Sequence, residues 1–250
     1  MIRTSHGLAG TWPTFASGTV IAALLNDAAD PALMGPQADA APYKGAPKLP
    51  VLGVRPPACV QITDDALWTV AEASQTVQLG AGIGMVVGRP AVRVTPVQAL
   101  ACVAGYVLCN DGSWPVPNPV HKHYRPGLRW RARDGLCVLS TRMVMPSAGW
   151  QADDLEISIR INGQQVHQGK PLARVRSAAQ LLSEVSQFMT LNPGDVLLLG
   201  PCAASACLQV GQRVEIVAAG FGSLSTRLAL NPSGRPATGA QAEAAAETPA

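Results

Sequence analysis

The sequence predicts an α+β domain that is mostly β, and three observations lead there. Residues 155–168 read LEISIRI, Asn162-Gly163, QQVHQ: apolar and polar residues alternate on both sides of a pair that favours a two-residue hairpin. Short apolar runs bounded by turn residues recur along the chain, as in GTVIAALLN (18–26), GYVLCND (105–111) and DVLLLG (195–200). Helical periodicity is confined to a few stretches.

Taken in order, residues 18–26 form a buried strand that runs into DAADPALMGPQADAAPYKGAPK (27–48), whose Pro and Gly content predicts an irregular, mobile segment. Short β-type runs follow around Val51–Val54 and Gln78–Val87. Thr95-Pro96 supplies an N-cap and a first helical residue for a helix reaching about Val103, and GYVLCND is the next strand. After the Asn162-Gly163 hairpin, SAAQLLSEVSQFM puts Leu181, Leu182, Val185, Phe188 and Met189 on one helical face, fit for a core or an interface. Asn192 to Asp195 is a turn, DVLLLG a buried strand, and VGQRVEIVAAGFG (210–222) a strand ending in a glycine turn. NPSGRPATGAQAEAAAETPA (231–250) has no apolar anchors and predicts a disordered tail.

Composition removes several function classes. The net charge is only +3, the 19 basic residues are scattered, and three Tyr with three Phe leave few rings for stacking, so a nucleic-acid groove is not expected. No apolar run reaches the roughly 20 residues that span a bilayer, and the first residues contain no continuous apolar stretch of a secretory signal. Six cysteines without a C-x-x-C pair read as free buried thiols in a reducing cytoplasm, not as a zinc site.

Gly80, Gly82 and Gly84 invite a dinucleotide-loop reading, which fails because a β-type run, MVV, follows where a helix is needed. A glycine-rich strand that lets another backbone approach closely is the alternative. His121-Lys122-His123 reads as a solvated loop. Arg125, Arg129, Arg131 and Arg133 beside Asp134 read as salt-bridged structure near an anion pocket.

Five segments in order resemble the fumarylacetoacetate hydrolase family: VQLGAGIGMVVGRPA, YVLCNDGSW, LEISIRINGQQVHQG, FMTLNPGDVLLLG and VGQRVEIVAAGFGSL. With the apolar run at 18–26, the likeness covers about residues 18 to 230. YKGAPKLPV (43–51) and YRPGLRWRARDGLCVLST (124–141) resemble one branch, the isomerase/decarboxylases of homoprotocatechuate (4-hydroxyphenylacetate) degradation, and within it the N-terminal half. The resemblance implies a rolled β-sheet, with residues 1–65 as a small N-terminal subdomain and lid, 66–231 as the main domain and 232–250 as the tail.

It also implies a chemistry. In active members three carboxylates hold a divalent cation, usually Mg²⁺, which acts as a Lewis acid on a dicarboxylic oxo-acid in its enol form. Two of them stand in an E-x-E pattern ahead of a V-[IV]-G-[KR] element. That element is Val86 to Arg89 here, so the two positions are Gly80 and Gly82. The third matches Asp111, which is either a remnant ligand or a turn residue. The acid/base pair of the lid is replaced by Pro31 and Met34, and the G-T-P motif reads Gly200-Pro201-Cys202. Arg55, Arg89 and Arg131 stand at basic positions suited to a dicarboxylate. The resemblance therefore assigns this chain no catalytic residue and no cofactor of its own. It implies a structural partner of a homologous Mg²⁺-bearing subunit, with a self-sufficient hydrolase or tautomerase and a plain oxo-acid binding module as alternatives.

Overall fold

The computed structural model describes residues 3–4, 18–28, 47–115, 128–145, 149–170, 173–202 and 206–231. Their strands are β1 (Arg3–Thr4), β2 (Val20–Leu24), β3 (Val51–Arg55), β4 (Val60–Ile62), β5 (Asp65–Val70), β6 (Val77–Gln78), β7 (Ala81–Val87), β8 (Val103–Asp111), β9 (Cys137–Met145), β10 (Ile157–Ile161), β11 (Gln164–Gly169), β12 (Val196–Pro201), β13 (Cys207–Leu208), β14 (Arg213–Ala218) and β15 (Gly222–Leu230). The helices are α1 (Pro96–Ala99), α2 (Leu128–Arg131) and α3 (Ala178–Ser186). Eight strands form one sheet in the order β1-β9-β8-β7-β12-β2-β3, with β4 also paired to β9. A second sheet runs β11-β10-β14-β15-β5, and β13 pairs with β6.

Burial on both faces explains the continuous apolar runs of the central strands. Along β2, Ile21 and Ala23 join the core between the two sheets with Met85, Leu197, Ile157 and Leu228. Val20, Ala22 and Leu24 point the other way and pack with Val107, Leu139 and Leu198. That second cluster lies inside a curl. β3 and β4 sit at opposite ends of the large sheet yet are joined by only Pro56 and a 3-10 turn at Pro57–Cys59, so the chain draws the two edges together.

The hairpin forms as the sequence predicts. Asn162 and Gly163 have φ of 48° and 79°, both left-handed, and β10 and β11 pair on either side of them. Ser177 caps α3 through a capping box with Gln180. Two expectations need correction. The helix from Thr95 ends at Ala99, because Leu100–Cys102 tighten into a 3-10 turn and Val103 pairs with Val87 in the sheet. Phe188 lies beyond the end of α3 and is 62% exposed, whereas Leu181, Leu182 and Val185 are buried in the chain's own core and are not left for a partner. The strands before residue 65 take part in the large sheet, where β2 pairs with β12 and β4 with β9. The expected lid and tail lie outside the described residues.

Candidate functional site

Asp111 ends β8 on the inner side of the curl, and Arg55 ends β3. The joining turn at Pro56 brings the two together although they are 56 positions apart. Arg55 donates from Nε to Asp111 Oδ1 and from Nη2 to Oδ2, both at 2.6 Å. This is the two-pronged pairing for which a guanidinium is shaped. Arg131, the last residue of α2, sets Nη1 3.7 Å from Oδ2. The three side chains are 1%, 13% and 14% exposed, so two guanidiniums share one largely buried carboxylate.

Their protonation equilibria follow from that count. Burial pulls Arg55 down, but the charge and hydrogen bonds of Asp111 outweigh it and the net shift is upward. Arg131 is lowered, by burial first and also by the neighbouring Arg55, with Asp111 offsetting only part. Cys137 stands opposite Asp111 in the β8–β9 register. Burial, and then the carboxylate charge, push its thiol well above the ordinary range. Cys109, facing Gly82 across the β7–β8 ladder, is raised by burial first and then by the neighbouring Cys137 and Asp111.

At Gly80 and Gly82 neighbouring backbone comes too close to admit a side chain. A Cβ on Gly80 would stand 2.1 Å from the Asp111 carbonyl oxygen, and one on Gly82 would stand 2.7 Å from the Gly200 carbonyl oxygen. Gly84 continues the stripe against the side chains of Val196 and Leu198. The contact at Gly80 is pinned on both sides. Its N–H donates to Asn110 Oδ1 at 3.1 Å, and its carbonyl accepts from Asp111 N–H at 3.0 Å. Asn110, fully buried, in turn donates to Thr226 Oγ1 at 3.2 Å and so ties β8 to the second sheet. The contact at Gly82 arises because β12 bulges between Leu198 and Pro201, with Gly200 at φ 95°. Close backbone approach is thus the role of these glycines.

Of the three arginines expected in one anion site, the structure unites Arg55 and Arg131 only. Arg89 is exposed beyond the far end of β7, and its N–H donates to Cys102 O. The seven-residue strand that separates it from Gly80 is itself roughly 20 Å long. Asp111 is no mere turn residue, since its carboxylate is taken up by the guanidiniums. Cys202 is fully buried, and burial pushes its thiol to about 11. Beside it lies Arg174, 3% exposed and ion-paired to Asp153, with Nη2 3.8 Å from the sulfur. Arg174 was not legible in the sequence because nothing around it is patterned, nor was Asn110, an uncharged residue beside the acidic Asp111. Pro31, Met34, His121, His123 and Arg125 lie outside the described residues. Among the described residues, no three His, Cys, Asp or Glu side chains converge to hold a metal ion, and no helix is long and apolar enough to cross a membrane.

The family model described as "Fumarylacetoacetate (FAA) hydrolase C-terminal" matches residues 19–229. The chain belongs to this family. It is 33% identical over 204 residues to the 4-hydroxyphenylacetate degradation bifunctional isomerase/decarboxylase of Escherichia coli, covering 82% of this chain and 45% of that protein. It is 38% identical over 142 residues to the homoprotocatechuate catabolism bifunctional isomerase/decarboxylase of Escherichia coli, covering 57% and 31%. The chain therefore spans less than half the length of these relatives. Among solved structures it is similar to 5-carboxymethyl-2-hydroxymuconate delta-isomerase from Mycobacterium smegmatis, with TM-score 0.69, 25% identity and coverage of 87% and 80%. Fumarylpyruvate hydrolase from Pseudomonas aeruginosa, solved with Mn²⁺ and pyruvate, shares the fold at TM-score 0.73 and 20% identity, covering 92% of this chain and 96% of that one.

Proposed function

We propose that this chain is a non-catalytic subunit of an isomerase/decarboxylase of 4-hydroxyphenylacetate catabolism, partnered by a homologous subunit that carries the metal. The complex would decarboxylate 5-carboxymethyl-2-oxo-hex-3-ene-1,7-dioate and isomerise 2-hydroxyhepta-2,4-diene-1,7-dioate. The observation that carries the reading is the state of the three ligand positions. Two are glycines pressed against backbone oxygens, and the third, Asp111, is held by two guanidiniums. The bifunctional relatives, more than twice as long as the matched region, support a partner of similar size. Co-expression with a homologue that has both glutamates tests the proposal. The expected result is a stable hetero-oligomer whose turnover resides in the metal-bearing subunit and falls when this chain is withheld. Full turnover of the dioate by this chain alone would overturn it.

A second reading, an oxo-acid binding module, is favoured by Arg131. Among the described residues its largely buried guanidinium makes one long contact, to a carboxylate already satisfied by Arg55, a setting that suits an added anion. Calorimetric titration with oxalate or pyruvate should then give a saturable signal that Arg131→Met abolishes.

A further inference from the structure

A carboxylate enclosed in a curled sheet needs a compensating cation, which either comes from solution or is built into the chain. At Asp111 both oxygens are engaged at 2.6 Å by one guanidinium that is itself 1% exposed. The guanidinium therefore covers the carboxylate edge that an ion would need. On the β7 side, any side chain at Gly80 or Gly82 meets a carbonyl oxygen at 2.1 or 2.7 Å, which leaves no path for further carboxylate donors. The third group near Asp111, Arg131, is another cation and repels an added one.

We propose that Arg55 is a built-in cation standing in for the divalent metal on Asp111, so that the charge of this site is set by the chain and is indifferent to metal in solution. Arginine suits the role better than lysine, because its planar fork meets both oxygens at once whereas an ammonium is a point charge. Arg55 acts here as a positioning residue. It fixes Asp111, and with it the start of β7, without needing to touch any substrate. The inference concerns the isolated chain and stands or falls separately from the partner-subunit reading.

Thermal unfolding of the full chain tests it, for wild type, Arg55→Lys, Arg55→Ala and the double variant Arg55→Ala/Asp111→Asn. Each is measured alone, with MnCl2 and with methylguanidinium at about 10 mM, where a ligand specific to the folded state raises Tm. Wild type should be unmoved by Mn²⁺. Arg55→Ala should lose about 10 °C and recover part of it with methylguanidinium or Mn²⁺, because either fills the vacated place. The double variant should respond to neither. Three results would overturn the proposal: a saturable rise of the wild-type Tm with Mn²⁺, an Arg55→Ala protein as stable as wild type, or one that falls and responds to neither cation. If Arg55→Ala does not fold, Arg55→Lys decides. It should sit a few degrees below wild type and ignore Mn²⁺, and a Mn²⁺-dependent gain would again overturn the proposal.

Discussion

Gly80→Ala adds a single methyl group at a place where the structure has no room for one. The new Cβ would lie 2.1 Å from the Asp111 carbonyl oxygen and 2.7 Å from its carbonyl carbon. Both atoms are backbone and cannot rotate away, so β7 must part from β8 by more than 1 Å to reach ordinary van der Waals distance. That movement breaks the 3.0 Å bond from Asp111 N–H to Gly80 O and the 3.1 Å bond from Gly80 N–H to Asn110 Oδ1. Two hydrogen bonds at about 1 kcal/mol each, with about 1–3 kcal/mol for overpacking, predict a loss of roughly 3–5 kcal/mol. Gly53→Ala is the internal control. Its Cβ would meet only side-chain atoms at 3.6 Å or beyond, so its stability should stay within about 1 kcal/mol of wild type. Urea unfolding at equilibrium measures both. A Gly80→Ala protein within 1 kcal/mol of wild type at unchanged m-value would refute the close approach of Gly80 to Asp111, and with it the reason that position 80 holds glycine.

Further expectations follow from the same geometry. The double variant Gly80→Glu/Gly82→Glu should show no saturable Mg²⁺ or Mn²⁺ heat by calorimetry, since both side chains collide with carbonyl oxygens before reaching Asp111; a stoichiometric site would contradict this. With a thiol reagent such as DTNB, one cysteine per native chain should react fast, because Cys207 is exposed and Cys59, Cys102, Cys109, Cys137 and Cys202 are buried; Cys207→Ser should remove that phase. Burial raises Cys202 from 9.0 to about 11 and Tyr106 from 10.0 to about 12. Both groups are neutral when protonated and their folded values exceed the unfolded ones, so their stabilisation is complete below pH 9 and is lost as pH rises from 9 toward 12. Urea midpoints should therefore decline above pH 9, and Cys202→Ala should flatten the decline between pH 9 and 11; an unchanged slope would exclude the thiol as a contributor.

What was legible in the sequence was local. Asn162-Gly163 dictates a two-residue hairpin because both residues tolerate positive φ, and Ser177 with Gln180 caps α3, all within a few positions of chain. The ordered family segments carried the fold class, and they placed Gly80, Gly82 and Asp111 at related positions of one site. β5, β9 and β15 went unassigned. In β9 the Ser-Thr-Arg interior interrupts the apolar pattern, and in β15 four polar residues fall among the apolar ones, so a strand buried by its neighbours does not look like one in isolation.

The sequence by itself, through the family resemblance, set glycines where an E-x-E pair is expected and kept one aspartate, because residue identity at a motif position needs no coordinates. Only the tertiary structure decided what became of that aspartate. The Pro56 turn closes the curl and carries Arg55 onto Asp111, while Arg89, equally basic and equally close to a motif, is left at the opposite end of β7. The physical reason is that a strand's two ends lie about 20 Å apart, and sequence proximity does not say which end a curled sheet turns toward its interior.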